Sequence, residues 1–105
     1  MENQYSIVIT TTGNKEDADK IANSLLSEKL AACIQVTQIK SYYTWKGSTN
    51  IDDEHLLIIK CKKGDYSEIE KNIKSNHSYE VPEIIQVPIT AGLPAYLSWI
   101  NEVTK

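Results

Sequence analysis

The densest run of side chains able to do chemistry is Asn76-His77-Ser78-Tyr79-Glu80-Val81-Pro82-Glu83. Its imidazole, phenol and carboxylates could ligate a borderline metal ion through nitrogen and oxygen, or hold a small polar molecule. A structural reading competes with this one. In it, His77 finishes the preceding helix as a cation near its C-terminus, and Glu83 pairs with a lysine. Cys33 stands where a helix pattern hands over to a strand pattern, so a small core residue and a soft metal ligand are both open. Cys61 ends a strand pattern beside Lys62 and Lys63, which would activate the thiol if it were exposed; an ordinary sheet residue with charged neighbours is the commoner reading. Lys60 follows the apolar Ile59 and reads as an inward-facing charge or an edge guard. His55 reads as a solvated strand residue, and Trp45 and Trp99 as interface and core anchors. There is no glycine-rich phosphate loop, GxSxG, HExxH or acidic calcium loop. As an acid/base pair His77 and Glu83 lack both a nucleophile and an oxyanion pocket, so the chain is not read as an enzyme.

The elements that must position these residues follow from periodicity. Tyr5 to Thr11 is a β-branched run ending at Gly13-Asn14, which predicts a buried strand and a turn. Asn14 caps a helix with Glu16 and Asp17 in its first turn and Ala18, Ile21, Ala22, Leu25 and Leu26 on one face. After Ala32 the period becomes two, through Ile34 and Val36 to an aromatic end at Tyr42, Tyr43 and Trp45, and Lys46 to Asn50 breaks it. If Ala32 to Trp45 is continuous, its 14 residues at ~3.3 Å each span roughly 46 Å, while a compact domain of this size has a radius of gyration of about 13 Å. The strand must overhang its own domain. Glu54 to Cys61 pairs back as a hairpin, and a second helix after Gly64-Asp65 buries Tyr66, Ile69 and Ile73. Glu83 to Ile89 is a fourth strand, with Pro88 arguing for an edge or a strand end, and Pro94 opens a terminal helix.

The order strand, helix, strand, strand, helix, strand is the split βαβ pattern, an α+β ferredoxin-like sandwich plus a C-terminal helix. Helices cover one sheet face only, so the other face and the hairpin tip call for a closed homo-oligomer. The clefts between its subunits, lined by His77, Tyr79, Glu83, Lys60 and Trp45, could take a small anionic metabolite or a partner segment.

Composition narrows the classes. At 105 residues, 41% hydrophobic and 24% charged, the chain has room for one domain, residues 1–105, with a modest core. Fourteen acidic side chains against eleven basic ones leave a formal charge of −3, and every basic one is lysine. Without arginine to fork onto a phosphate or a guanine edge, nucleic acid is not an expected partner. No apolar run approaches the ~20 residues of a membrane span, and Met1-Glu2-Asn3-Gln4 has no basic-then-apolar pattern, so no membrane role and a cytoplasmic setting are expected. Two cysteines in neither CxxC nor CxxH spacing exclude a disulfide scaffold.

Five stretches in order resemble the CutA proteins, the divalent-cation tolerance family: Leu30 to Ile34, Ser41 to Gly47, Glu54 with Leu57 to Lys60, His77 to Ile84, and Tyr96 to Ile100. The resemblance implies a ferredoxin-like subunit in a tight homotrimer, related in shape to the trimeric P-II signalling proteins, with copper or another divalent metal as the bound species. Metal ligands are then sought among His77, Cys33 and Glu83, with Lys60, Tyr79 and Trp45 along the inter-subunit clefts. The positions matching the copper ligands proposed in bacterial members are Thr10, Asn76 and His77, only the last of which is a metal-ligating type.

Overall fold

The computed structural model describes residues 4–105. Strand β1 (Tyr5–Thr12) buries every second residue, Ser6, Val8, Thr10 and Thr12, against the helices. Asn14 then accepts a 2.7 Å hydrogen bond from the Asp17 amide and starts α1 (Lys15–Ser27). Ala18, Ile21 and Leu25 of α1 are buried, whereas Leu26, expected on the same face, is exposed. The helix ends in a Schellman motif: the Leu30 amide bonds the Leu25 carbonyl, the Lys29 amide bonds that of Leu26, and Lys29 itself has φ 58°. No glycine announces this stop in the sequence. The apolar contact typical of the motif holds it, since Leu25 and Leu30 are both buried.

The hairpin is longer than the sequence pattern predicts. β2 (Cys33–Trp45) and β3 (Ser48–Lys62) pair from Cys33↔Lys60 to Trp45↔Ser48, leaving only Lys46 and Gly47 as the turn. Both turn residues have positive φ, 51° and 80°, as a tight two-residue hairpin requires. Ser48 to Asn50 read as part of a break, and the strand reads as starting only at Glu54, because the residues before it lack apolar alternation. Beyond the helices there is no core for that part of the strand to face. Tyr42 and Ile51 oppose each other on this arm and are 69% and 55% exposed. The molecule measures 44 × 26 × 22 Å with a radius of gyration of 14.3 Å, so the overhang expected from strand length is present.

After β3 a short 3-10 turn leads into α2 (Tyr66–Ser75), then come edge strand β4 (Ile84–Pro88) and α3 (Pro94–Val103). The sheet order is β2-β3-β1-β4 with every neighbouring pair antiparallel, the ferredoxin-like arrangement in which each crossover skips one strand. Pro88 ends β4, where its missing amide costs no ladder bond between β4 and β1 beyond the last pair. The core joins Val8, Leu57, Ile59 and Cys61 of the sheet to Ile21 and Leu25 of α1 and Ile69 and Ile73 of α2, at about 1.5–3 kcal/mol for each large aliphatic side chain buried. Trp99, expected as a core anchor, is exposed; Ile100 is the residue of α3 that is fully buried. Helical geometry sets neighbouring residues ~100° apart, so only one of the two can face inward.

Candidate functional site

Strand register sorts the sequence candidates onto two faces. Cys33 and Lys60 are paired neighbours on the face the helices leave open. Cys33 is half-buried there, outside the core, and the Lys60 ammonium lies 2.6 Å from Gln35 Oε1 and 5.9 Å from the centre of the Tyr96 ring. Cys61 faces the other way and is fully buried, sharing a 3.4 Å contact with the Ser6 hydroxyl. Burial raises its thiol pKa above the ordinary 9.0, the opposite of activation by Lys62 and Lys63. His55 also faces the helix layer, half-buried, with a Nδ1 that has no hydrogen-bond partner among the described residues. It is not the freely solvated residue expected.

The segment leaving α2 folds over the end of β1. His77 donates from Nε2 to the Thr11 carbonyl at 2.6 Å, and its Nδ1 accepts the Tyr79 amide at 3.1 Å. A carbonyl can only accept and an amide only donate, so these partners call for the neutral Nε2–H ring instead of a helix-capping cation. Ser78 Oγ donates to Asp17 of α1 at 2.6 Å. Tyr79 is thereby aimed at β3, where its hydroxyl donates to Glu54 Oε2 at 2.6 Å. Gly13 makes room for this crossing: a Cβ there would lie 2.9 Å from the Tyr79 hydroxyl oxygen. Burial first, then the bond to Glu54 and the negative charge of Glu54 and Asp52, hold the Tyr79 hydroxyl far above the ordinary 10.0.

Glu54 is only 7% exposed and forms the floor of a cleft of about 660 Å³. Its walls are Trp45, Tyr42 and Tyr43 of the hairpin and Tyr79, Glu80 and Glu83 of the segment after α2. Tyr43 donates to Asp52 at the hairpin's side of this region, which raises its own pKa. Of the residues expected along one cleft, Tyr79, Glu83 and Trp45 meet here; His77 stands behind Tyr79, with ring centres 4.8 Å apart, and Lys60 is absent. Lys60 is six residues from Glu54 along β3, roughly 20 Å at ~3.3 Å per residue. Within one chain the cleft has three carboxylates and no lysine in its lining. Nor does Glu83 form an ion pair with a lysine among the described residues. Glu54 was missed as a site residue, although one signal was available: a carboxylate one residue ahead of His55 and the apolar run Leu56 to Ile59.

The metal-ligand candidates do not converge. Among the described residues no three His, Cys, Asp or Glu side chains are grouped closely enough to hold an ion. Cys33 lies in the register row of Lys60 and His77 reaches the row of Leu56, four residues or about 13 Å away. Thr10 and Asn76 do come near His77, but Thr10 is fully buried on the helix side and the Asn76 amide is occupied by Asn72. A hydroxyl and an amide cannot replace thiolate and imidazole for copper, so this donor set does not fit that metal.

Residues 6–103 match the family described as CutA1 divalent ion tolerance protein. The chain is 41% identical over 100 residues to the chloroplastic CutA protein of Arabidopsis thaliana, covering 94% of this chain and 55% of that longer relative. The structure of the periplasmic divalent cation tolerance protein CutA from Archaeoglobus fulgidus is similar with a TM-score of 0.94 and 35% identity, over 96% of this chain and 99% of that one. The crystal structure of CutA1 from Oryza sativa is similar with a TM-score of 0.93 and 40% identity, over 97% and 94%. Agreement of sequence over nearly the whole chain with the same hairpin-bearing fold makes this chain a member of the CutA1 divalent ion tolerance family.

Proposed function

We propose that the protein acts in tolerance of divalent metal ions as a cytoplasmic homotrimer, P-II-like in assembly, that contacts copper or another heavy metal through residues from more than one subunit. The observation that carries the assembly is the surface one copy leaves uncovered. The hairpin arm projects past the helices, Ile85 and Val87 are exposed on the open sheet face, and β2 and β4 are unpaired edges. An arm laid along a neighbour's edge would satisfy both its backbone and its apolar side chains. Two free cysteines support a reducing compartment. No helix among the described residues is long and apolar enough to cross a membrane.

Because Cys33 on β2 lies four residue rows, about 13 Å along the sheet, from the row His77 reaches on β1, with β3 between those strands, a metal held by both requires two copies. Native mass spectrometry of the protein purified without chelator tests both halves at once. A trimer carrying metal is the expected result, lost on His77→Ala or Cys33→Ser. A monomer refutes the assembly. A metal-free trimer that also fails to bind Cu(II), Cu(I) or Zn(II) more tightly than about 10 μM refutes the metal contact.

A further inference from the structure

The geometry points to Nδ1 of His77 as the atom that takes the metal, and to the backbone amide of Tyr79 as the internal competitor that the metal must displace. This assignment rests on the metal contact proposed above, which already takes its other donors from a second copy, and concerns how that contact is regulated.

Both ring nitrogens are in use within the chain. Nε2 donates to the Thr11 carbonyl at 2.6 Å, and Nδ1 accepts the Tyr79 amide at 3.1 Å. With the proton on Nε2, the in-plane lone pair of the ring sits on Nδ1. A metal ion coordinates a lone pair and not an N–H, so without a proton shift it reaches this ring only through Nδ1. Metal-ligating imidazoles commonly donate their other N–H to a backbone carbonyl, which fixes the tautomer and the ring orientation. The Thr11 bond is of that kind, and it is the shorter and the less exposed of the two. The Tyr79 bond is longer and exposed, so it is the one an incoming ion can replace.

The consequence falls on Tyr79. Its amide hydrogen and a metal cation cannot share one lone pair. When the cation takes it, no proton leaves the ring, the hydrogen stays on the Tyr79 nitrogen, and that nitrogen loses its acceptor. The two rings are 4.8 Å apart, and the Tyr79 hydroxyl is bonded to Glu54 on β3. Metal occupancy is thereby coupled to the position of Tyr79, and through Glu54 to the base of the hairpin arm that the proposed trimer uses. A neutral hydrogen bond of this type corresponds to a factor of about two to ten in an equilibrium constant, and the closed clamp weakens metal binding by that factor.

Long-range proton–nitrogen NMR of His77 in the full chain, at mildly alkaline pH before and after Zn(II), tests the assignment. The metal-free ring is expected to be neutral with its proton on Nε2. Zn(II) is then expected to shift Nδ1, leave Nε2 protonated and move the Tyr79 amide resonance. Tyr79→Pro, which has no amide hydrogen, is expected to bind Zn(II) about two- to tenfold more tightly than Tyr79→Phe, which keeps it. Zn(II) on Nε2, a metal-free ring protonated on Nδ1, or Zn(II) binding that leaves the Tyr79 amide unmoved overturns the assignment while the metal contact stands. So does equal affinity of the two folded variants; should Tyr79→Pro fail to fold, the wild-type spectra decide alone. Zn(II) bound by neither the wild type nor a folded Tyr79→Pro variant refutes the metal contact itself, and the assignment with it.

Discussion

Tyr79→Phe removes one oxygen and leaves Glu54 without its donor. The bond is 2.6 Å, the short distance of a hydroxyl on a carboxylate, and Glu54 is 7% exposed while Tyr79 is 36% exposed. A hydrogen bond to a charged group contributes about 1.5–3 kcal/mol, and water entering the open cleft on the Tyr79 side keeps the loss near the lower end, about 1.5–2 kcal/mol. With a urea m value of about 1–3 kcal/mol/M, the unfolding midpoint should fall by roughly 0.5–2 M, compared at equal protein concentration because assembly shifts midpoints. Glu54→Gln should cost less, and the double variant less than the sum, with a coupling of about 1 kcal/mol or more. A second readout tests the same bond by titration. The folded Tyr79 hydroxyl is held above the 10.0 of the unfolded chain, so above pH 10 the folded state binds more protons and stability falls as pH rises. Tyr79→Phe should flatten that alkaline decline. A Tyr79→Phe variant within about 0.5 kcal/mol of wild type, with an unchanged alkaline limb, would falsify the claim that this bond anchors the segment after α2.

Other expectations rest on different parts of the molecule. Iodoacetamide at mildly alkaline pH should label Cys33 and spare Cys61 until the chain unfolds, as peptide mass spectrometry would report; labelling of both in the native state contradicts the burial of Cys61. Asn14→Ala removes the cap on the Asp17 amide and should destabilise by ~1 kcal/mol in chemical denaturation, while Asn14→Asp should be near neutral. Trp45→Ala should weaken the proposed trimer by about 2 kcal/mol or more, seen as monomer appearing on dilution in sedimentation velocity. Full retention of the trimer at the lowest measurable concentration would remove Trp45 from the interface.

Local pattern carried much of the fold. The switch from helical period to period two after Ala32, the capping Asn14 and the placement of Pro88 and Pro94 are short-range signals, and the strand and helix order follows from them. The errors arise where local pattern and environment part company. Ser48 to Asn50 form strand although they look like a break, and the strand runs on through Asp53, because backbone pairing with Lys40 to Trp45 does not require apolar side chains when no core lies beneath. Lys29 stops a helix without glycine because the contact between Leu25 and Leu30 outweighs the strain of one left-handed residue.

For the candidate site, residue types and their order determined that His77, Tyr79 and Glu83 would be displayed together after α2, and that an aromatic hairpin would project from the domain. Only the tertiary structure decided which of them share a space. Register put Cys33 beside Lys60 and about 13 Å from the row His77 reaches, and the absence of a side chain at Gly13 let Tyr79 cross to Glu54. The physical reason is that a strand's alternation tells which residues share a face but not which strand lies beside it or at what register. A cleft between a hairpin and a loop 25 residues apart in sequence is defined by that register alone.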